Sequence, residues 1–187
     1  LTALTLNAIA LGTEDSSIRN LTLESSGSLR SETVLQMTNG VLRDARVKTI
    51  GGQESAHTGV RTTGNSLIAD TDFSVLGIDA HGLVAGDGAK IRRSSFTGSD
   101  VVWSEPVSGI QAFGGVEANQ LNFAGIQRPL VLTGGDNPTY FSDVAIDLPS
   151  VQTSTAVLAR LQPSDTGSRQ IRLRGFTIFG DDSGAQQ

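Results

Sequence analysis

Charged residues recur at matched places in the first half of this 187-residue chain: Asp44, Asp70 and Asp72, with Arg46, Lys48 and Arg92. Asp44, Asp70 and Arg93 occupy one position of a repeat of about 25 residues. Arg46 and Asp72 share a second position, and Lys48 and Ser74 a third. A carboxylate base that takes an acidic proton, beside cations that neutralise a uronate, is the equipment for an elimination reaction. The same residues fit a plainer part. Stacked Asp, Asn and Arg hydrogen-bond turn backbones and pair along a rod.

Other chemistry is sparser. Trp103 is the only tryptophan, and it stands near Asp100 and Glu105 in the segment 99–109. An indole flanked by carboxylates is a stacking platform for a sugar ring, or else a lid folded on its neighbours. The only histidines, His57 and His81, are expected in two loops one repeat apart. Cysteine is absent, which excludes disulfides, thiolate catalysis and Cys-dependent zinc sites. Asp70-Thr71-Asp72, Gly86-Asp87-Gly88 and Asp181-Asp182 are rich in oxygen, but none has the spacing of a calcium loop. No cofactor and no metal are expected, and calcium has no supporting motif. Phosphate-binding Gly motifs, nucleophile elbows and zincin helices are missing too.

The elements that must hold these residues follow from internal repetition. Leu21, Val47, Phe73, Phe96, Leu121, Ile146 and Phe176 align in one column. Five residues earlier stand Ser16, Leu42, Ile68, Ile91, Val116, Phe141 and Ile171. A further column, Ile9, Leu35, Val60, Leu83, Ile110, Leu130 and Val157, precedes them, with Gly59, Gly82 and Gly109 just ahead of it. Alternation of period 2 inside short segments, separated by Gly-rich turns, predicts strands. The alternation breaks before the Phe column, where the chain must turn a corner. Helical repeats would need longer runs at 3.6 spacing, and none is present. The prediction is an all-β parallel solenoid of about seven rungs, each about 25 residues and about 4.8 Å from the next.

Gly-aliphatic, short turn, aliphatic, then a polar corner before Phe-x-aliphatic resembles the right-handed parallel β-helix superfamily of pectate-lyase-like enzymes and phage tailspikes. The resemblance covers about residues 9–178. It implies an extracellular or virion-surface protein that binds polysaccharide as part of a homotrimeric spike or adhesin. It equally admits a polysaccharide lyase, glycoside hydrolase or epimerase, or a purely structural rod, because fold alone does not choose the activity. In the related enzymes the substrate cleft lies along the outward face of such strands. Here that column reads Ala10, Gln36, Arg61, Val84, Gln111, Val131 and Leu158, with Phe113 nearby. It offers no pair of carboxylates, as glycoside hydrolysis needs. Val84, Phe113, Val131 and Leu158 suit a contact between subunits, or a surface covered by loops of the same chain.

Composition agrees with this picture. Net charge −5 gives nucleic acid no basic footprint. No apolar stretch is long enough to span a membrane. Gly reaches 22 while Trp, Tyr and Met are 1 each, which suits tight turns around a narrow aliphatic core. Residues 1–187 read as a single β-helix domain. A start at Leu1, with no basic leader before LTALTLNAIAL, reads as a processed piece of a longer chain.

Overall fold

The computed structural model describes residues 6–7, 17–25, 31–52, 56–99, 107–135, 137–149, 154–160 and 170–180. Every regular element among them is a strand. The first turn holds β1 (Leu6–Asn7), β2 (Ser17–Arg19) and β3 (Thr22–Glu24). The second holds β4 (Glu32–Thr38), β5 (Val41–Arg43) and β6 (Arg46–Ile50). The third holds β7 (His57–Thr63), β8 (Leu67–Ala69) and β9 (Asp72–Leu76). From the fourth turn the two later strands are one: the fourth holds β10 (Ala80–Ala85) and β11 (Lys90–Thr97), the fifth β12 (Ser108–Phe113) and β13 (Glu117–Ala124). Next come β14 (Arg128–Thr133) with β15 (Thr139–Asp147), and β16 (Val157–Arg160) with β17 (Ile171–Phe179).

All pairings are parallel between successive turns, so the chain is a β-solenoid with about 25 residues per turn. Among the described residues one sheet has seven strands and the other ten. The complete turns number about five rather than seven. At one end β1 is only two residues long, and at the other β17 leaves nearly its whole length exposed. Among the described residues no helix is long and apolar enough to cross a membrane.

The core lies between the sheets, and its columns follow the repeat. Leu35, Val60, Leu83, Ile110 and Leu130 are stacked in register and fully buried. The opposing column is Leu23, Val47, Phe73, Phe96, Phe123, Ile146 and Ile178. Phe73 and Phe96 stack with centroids 4.5 Å apart and planes 3° apart, and Phe96 and Phe123 at 4.8 Å and 15°. These separations match the spacing between strands, so ring stacking and strand pairing reinforce each other.

Three turns are offset from the expected alignment. Leu23, Phe123 and Ile178 occupy the column in place of Leu21, Leu121 and Phe176. Likewise Ile18, Ala118 and Leu173 replace Ser16, Val116 and Ile171. A slip of two residues keeps every side chain on its own face, so a period-2 pattern cannot detect it. In the first turn Leu6 and Asn7, rather than Ile9 and Ala10, pair with Leu35 and Gln36. Ile9 and Ala10 lie outside the described residues.

Candidate functional site

Among the described residues the corner between the two parts of the larger sheet is made the same way at seven successive levels. Asn20, Asp44, Asp70, Arg93, Gln120, Asp143 and Gly175 each take a positive φ, between 45° and 64°. A single left-handed residue reverses the side-chain alternation and bends the strand. Asn, Asp and Gly tolerate that conformation best, which accounts for five of the seven. The inter-turn hydrogen bonds run straight through the corner. Asp44 N donates to Ala69 O at 3.3 Å, and Asp70 N to Arg92 O at 3.1 Å. Arg46 N donates to Leu21 O, and Asp72 N to Ala45 O, each at 2.9 Å. The corner is thus a continuous ladder that aims a polar side chain at solvent from every level except that of Gly175.

On its first three turns this ladder borders an open groove of about 380 Å³. Its walls are Asn20, Leu21, Thr22, Asp44, Ala45, Arg46, Asp70 and Asp72. Four of the charged residues singled out in the sequence therefore meet: Asp44, Arg46, Asp70 and Asp72. Lys48 and Arg92 are not part of the lining. The Lys48 ammonium pairs with Glu24 Oε1 at 2.5 Å on the preceding turn. Arg92 lies one column before the corner, in register with Ala69 and Asn119.

The acids of the groove differ in what they already hold. Arg93 grips Asp70 with two hydrogen bonds, Nε to Oδ1 and Nη2 to Oδ2, both 2.7 Å. This bidentate bond, and then the guanidinium charge, holds the Asp70 carboxyl below its ordinary value of 3.8 against a modest opposing desolvation, with Arg43 adding to the effect. Asp72 Oδ1 accepts the Ser95 hydroxyl at 2.5 Å. Asp44 and Arg46 are exposed.

The Asp70–Arg93 pair sets a pH dependence whose sign is fixed. A carboxyl with a depressed folded pKa stabilises the fold above its unfolded pKa, and that contribution disappears as pH falls through the lower, folded value. An Asp70→Asn variant keeps the left-handed corner, since Asn adopts it readily. Its thermal midpoint is therefore expected to lie slightly below wild type at pH 7 and to converge with it below pH 3.8. Melting curves over pH 2–7 measure this, and high salt should narrow the gap, because the pair is exposed.

Asn20 and Thr22 are the groove residues that charge patterning missed. Asn20 stands one repeat before Asp44 at the same corner, and its tolerance of a left-handed backbone was the available signal. Both histidines lie in strands, not loops: His57 begins β7 and is fully buried, and His81 is the second residue of β10. On the outer face of the seven-stranded sheet the expected column holds from Gln36 through Arg61, Val84, Gln111 and Val131 to Leu158. Of the four apolar contact candidates only Phe113 is largely open, at 47% exposure; Val84 is buried, and Val131 and Leu158 are half-buried. Asp100, Trp103 and Glu105 lie outside the described residues. No protein family matches the chain, and no curated protein or solved structure is significantly similar to it.

Proposed function

We propose that this solenoid is a polysaccharide-binding domain of an extracellular or virion-surface protein, and that the corner groove receives the glycan. The observation that carries the reading is the groove itself. It is an open channel crossing three turns, with carboxylates, an amide, a hydroxyl and a guanidinium on its walls. Sugar hydroxyls donate to carboxylates and accept from guanidinium and amide N–H groups, so this mixture matches a polyol. The lining holds three Asp against one Arg. With Asp70 paired to Arg93, Asp44 and Asp72 still outnumber Arg46, which disfavours uronates and favours neutral or amino sugars, because a like charge in a shared site is costly.

Arg46→Ala is expected to weaken glycan binding about 10-fold or more, the loss typical of a hydrogen bond to a charged group. Calorimetric titration across a panel of neutral, amino and uronate polysaccharides measures it. Binding confined to uronates, or Arg46→Ala binding as wild type does, would sink the groove assignment.

A lyase, hydrolase or epimerase at this groove has less support. Asp70 is held ionised by Arg93, and a depressed pKa makes a weak base. Lys48 and Arg92, the cations that would neutralise a uronate, face other partners or positions. A structural rod remains the outcome if the glycan panel is blank. A trimer packed side by side would bury Phe113. Light scattering on the wild type and on Phe113→Asp tests that assembly: a trimer reduced to monomer by the substitution supports it, and a wild-type monomer at tens of micromolar ends it.

A further inference from the structure

A second cluster lies on the other sheet, away from the groove. His81 and Ser108 are register partners on β10 and β12. His81 Nδ1 lies 2.7 Å from Ser108 Oγ, and His81 Nε2 lies 3.3 Å from Asp79 Oδ1. The Gln111 amide Nε2 reaches Ser108 Oγ at 3.3 Å and His81 Nδ1 at 3.1 Å. Asp79 is fixed by its backbone: it sits at φ 49°, and its carbonyl accepts the His57 N–H at 3.0 Å.

The proton positions follow from donor and acceptor capacity. Asp79 Oδ1 lies at ion-pair distance from Nε2 without a formed hydrogen bond, and because a carboxylate only accepts, it favours the tautomer with the N–H on Nε2. Nδ1 is then bare and accepts the Ser108 hydroxyl, while Gln111 donates to Ser108 Oγ. Serine is thus hydrogen-bonded to a base, and a carboxylate lies beside the other nitrogen of that base. Burial lowers the His81 pKa from 6.5. Asp79 opposes that shift and Arg61 reinforces it, so the ring is neutral at pH 7.

We propose that Ser108, His81 and Asp79 form an acyl-transfer site that hydrolyses small carboxylic esters. Ser108 Oγ attacks the ester carbonyl carbon and passes its proton to His81 Nδ1. The bond to the alcohol breaks as His81 returns that proton to the leaving oxygen. Water, deprotonated by His81, then attacks the acyl-serine and releases the carboxylic acid and free Ser108. The Gln111 amide, 3.3 Å from Ser108 Oγ, is a side-chain donor for the oxyanion. Ser108 and His81 are the catalytic residues, and Asp79 is a positioning residue. Ser108 is only 2% exposed, which favours small acyl and phosphonyl groups. The proposal is independent of the glycan groove.

The test treats the whole chain with a fluorophosphonate and with p-nitrophenyl acetate. Peptide mass spectrometry should find the phosphonyl adduct on Ser108, and acetate ester turnover should rise with pH to a plateau whose midpoint lies below 6.5. Ser108→Ala, a deletion of one oxygen, should lose adduct and at least about 100-fold of the turnover. Asp79→Asn keeps the left-handed backbone. It should slow turnover and move the midpoint lower still, because it removes the anion that favours the imidazolium; a merely structural Asp79 would leave that midpoint in place. Circular dichroism confirms that each variant is folded. An unlabelled Ser108 in the wild type, or folded Ser108→Ala hydrolysing the ester within about twofold of wild type, overturns the proposal.

Discussion

Replacing Phe96 by alanine is expected to cost about 3–5 kcal/mol of folding free energy, the range for emptying a buried aromatic site. Phe96 is fully buried and is the middle ring of three. Its removal opens a cavity between Phe73 and Phe123 and breaks two stacking contacts, each worth about 0.5–1.5 kcal/mol beyond area burial. The neighbours cannot collapse into the gap, because strand pairing above and below fixes the separation of the turns. Phe96→Leu, which keeps most of the volume, should cost less than half as much. Urea unfolding followed by far-ultraviolet circular dichroism measures both. A Phe96→Ala loss below about 1 kcal/mol would contradict the continuous aromatic column, since even an Ile→Val deletion in a core reaches that size.

Gly109→Ala should be the other severe substitution, although it adds a single methyl. A β-carbon on Gly109 would lie 2.6 Å from Phe123 Cε1 and 2.7 Å from the Pro129 carbonyl oxygen. Both approaches are well inside contact distance, and overpacking of this kind costs about 1–3 kcal/mol. The backbone of the neighbouring turn cannot move without disturbing its own ladder. The ring can be shortened, however, so Phe123→Leu should be less damaging in the Gly109→Ala background than in wild type. A double-mutant cycle by denaturant unfolding reads that coupling. Strict additivity would show that the methyl does not meet the ring.

These two substitutions also mark where reading the chain succeeded and where it stopped. Leu35, Val60, Leu83, Ile110 and Leu130 form a column in the sequence and in the structure, because each strand repeats the same inward position. Gly59, Gly82 and Gly109 were visible ahead of that column, but their cause was not. They look like strand-start punctuation, whereas they leave room across the core. A β-carbon on Gly82 would come within 3.1 Å of Phe96, and one on Gly59 within 2.9 Å of Val47. That fit belongs to two facing sheets, and no one-dimensional alignment contains it. The groove was legible in part for a similar reason. Asp44 and Asp70 recur at repeat spacing, as do Arg46 and Asp72, so their meeting was foreseeable. Asn20 was hidden by the two-residue slip of the first turn. The Asp79–His81–Ser108 cluster was hidden by the exchange of expected loops for strands at both histidines.

The left-handed corner has an evolutionary consequence. Its occupants are Asn, Asp, Asp, Arg, Gln, Asp and Gly, yet the bend is the same in each turn. Backbone geometry is conserved there while side-chain identity varies widely. Such a position uncouples folding from recognition: a substitution at the corner rewrites what the surface presents and leaves the scaffold untouched. A row of corners is therefore a place where a lineage can drift from one ligand to another in single steps, with little selection against the intermediates.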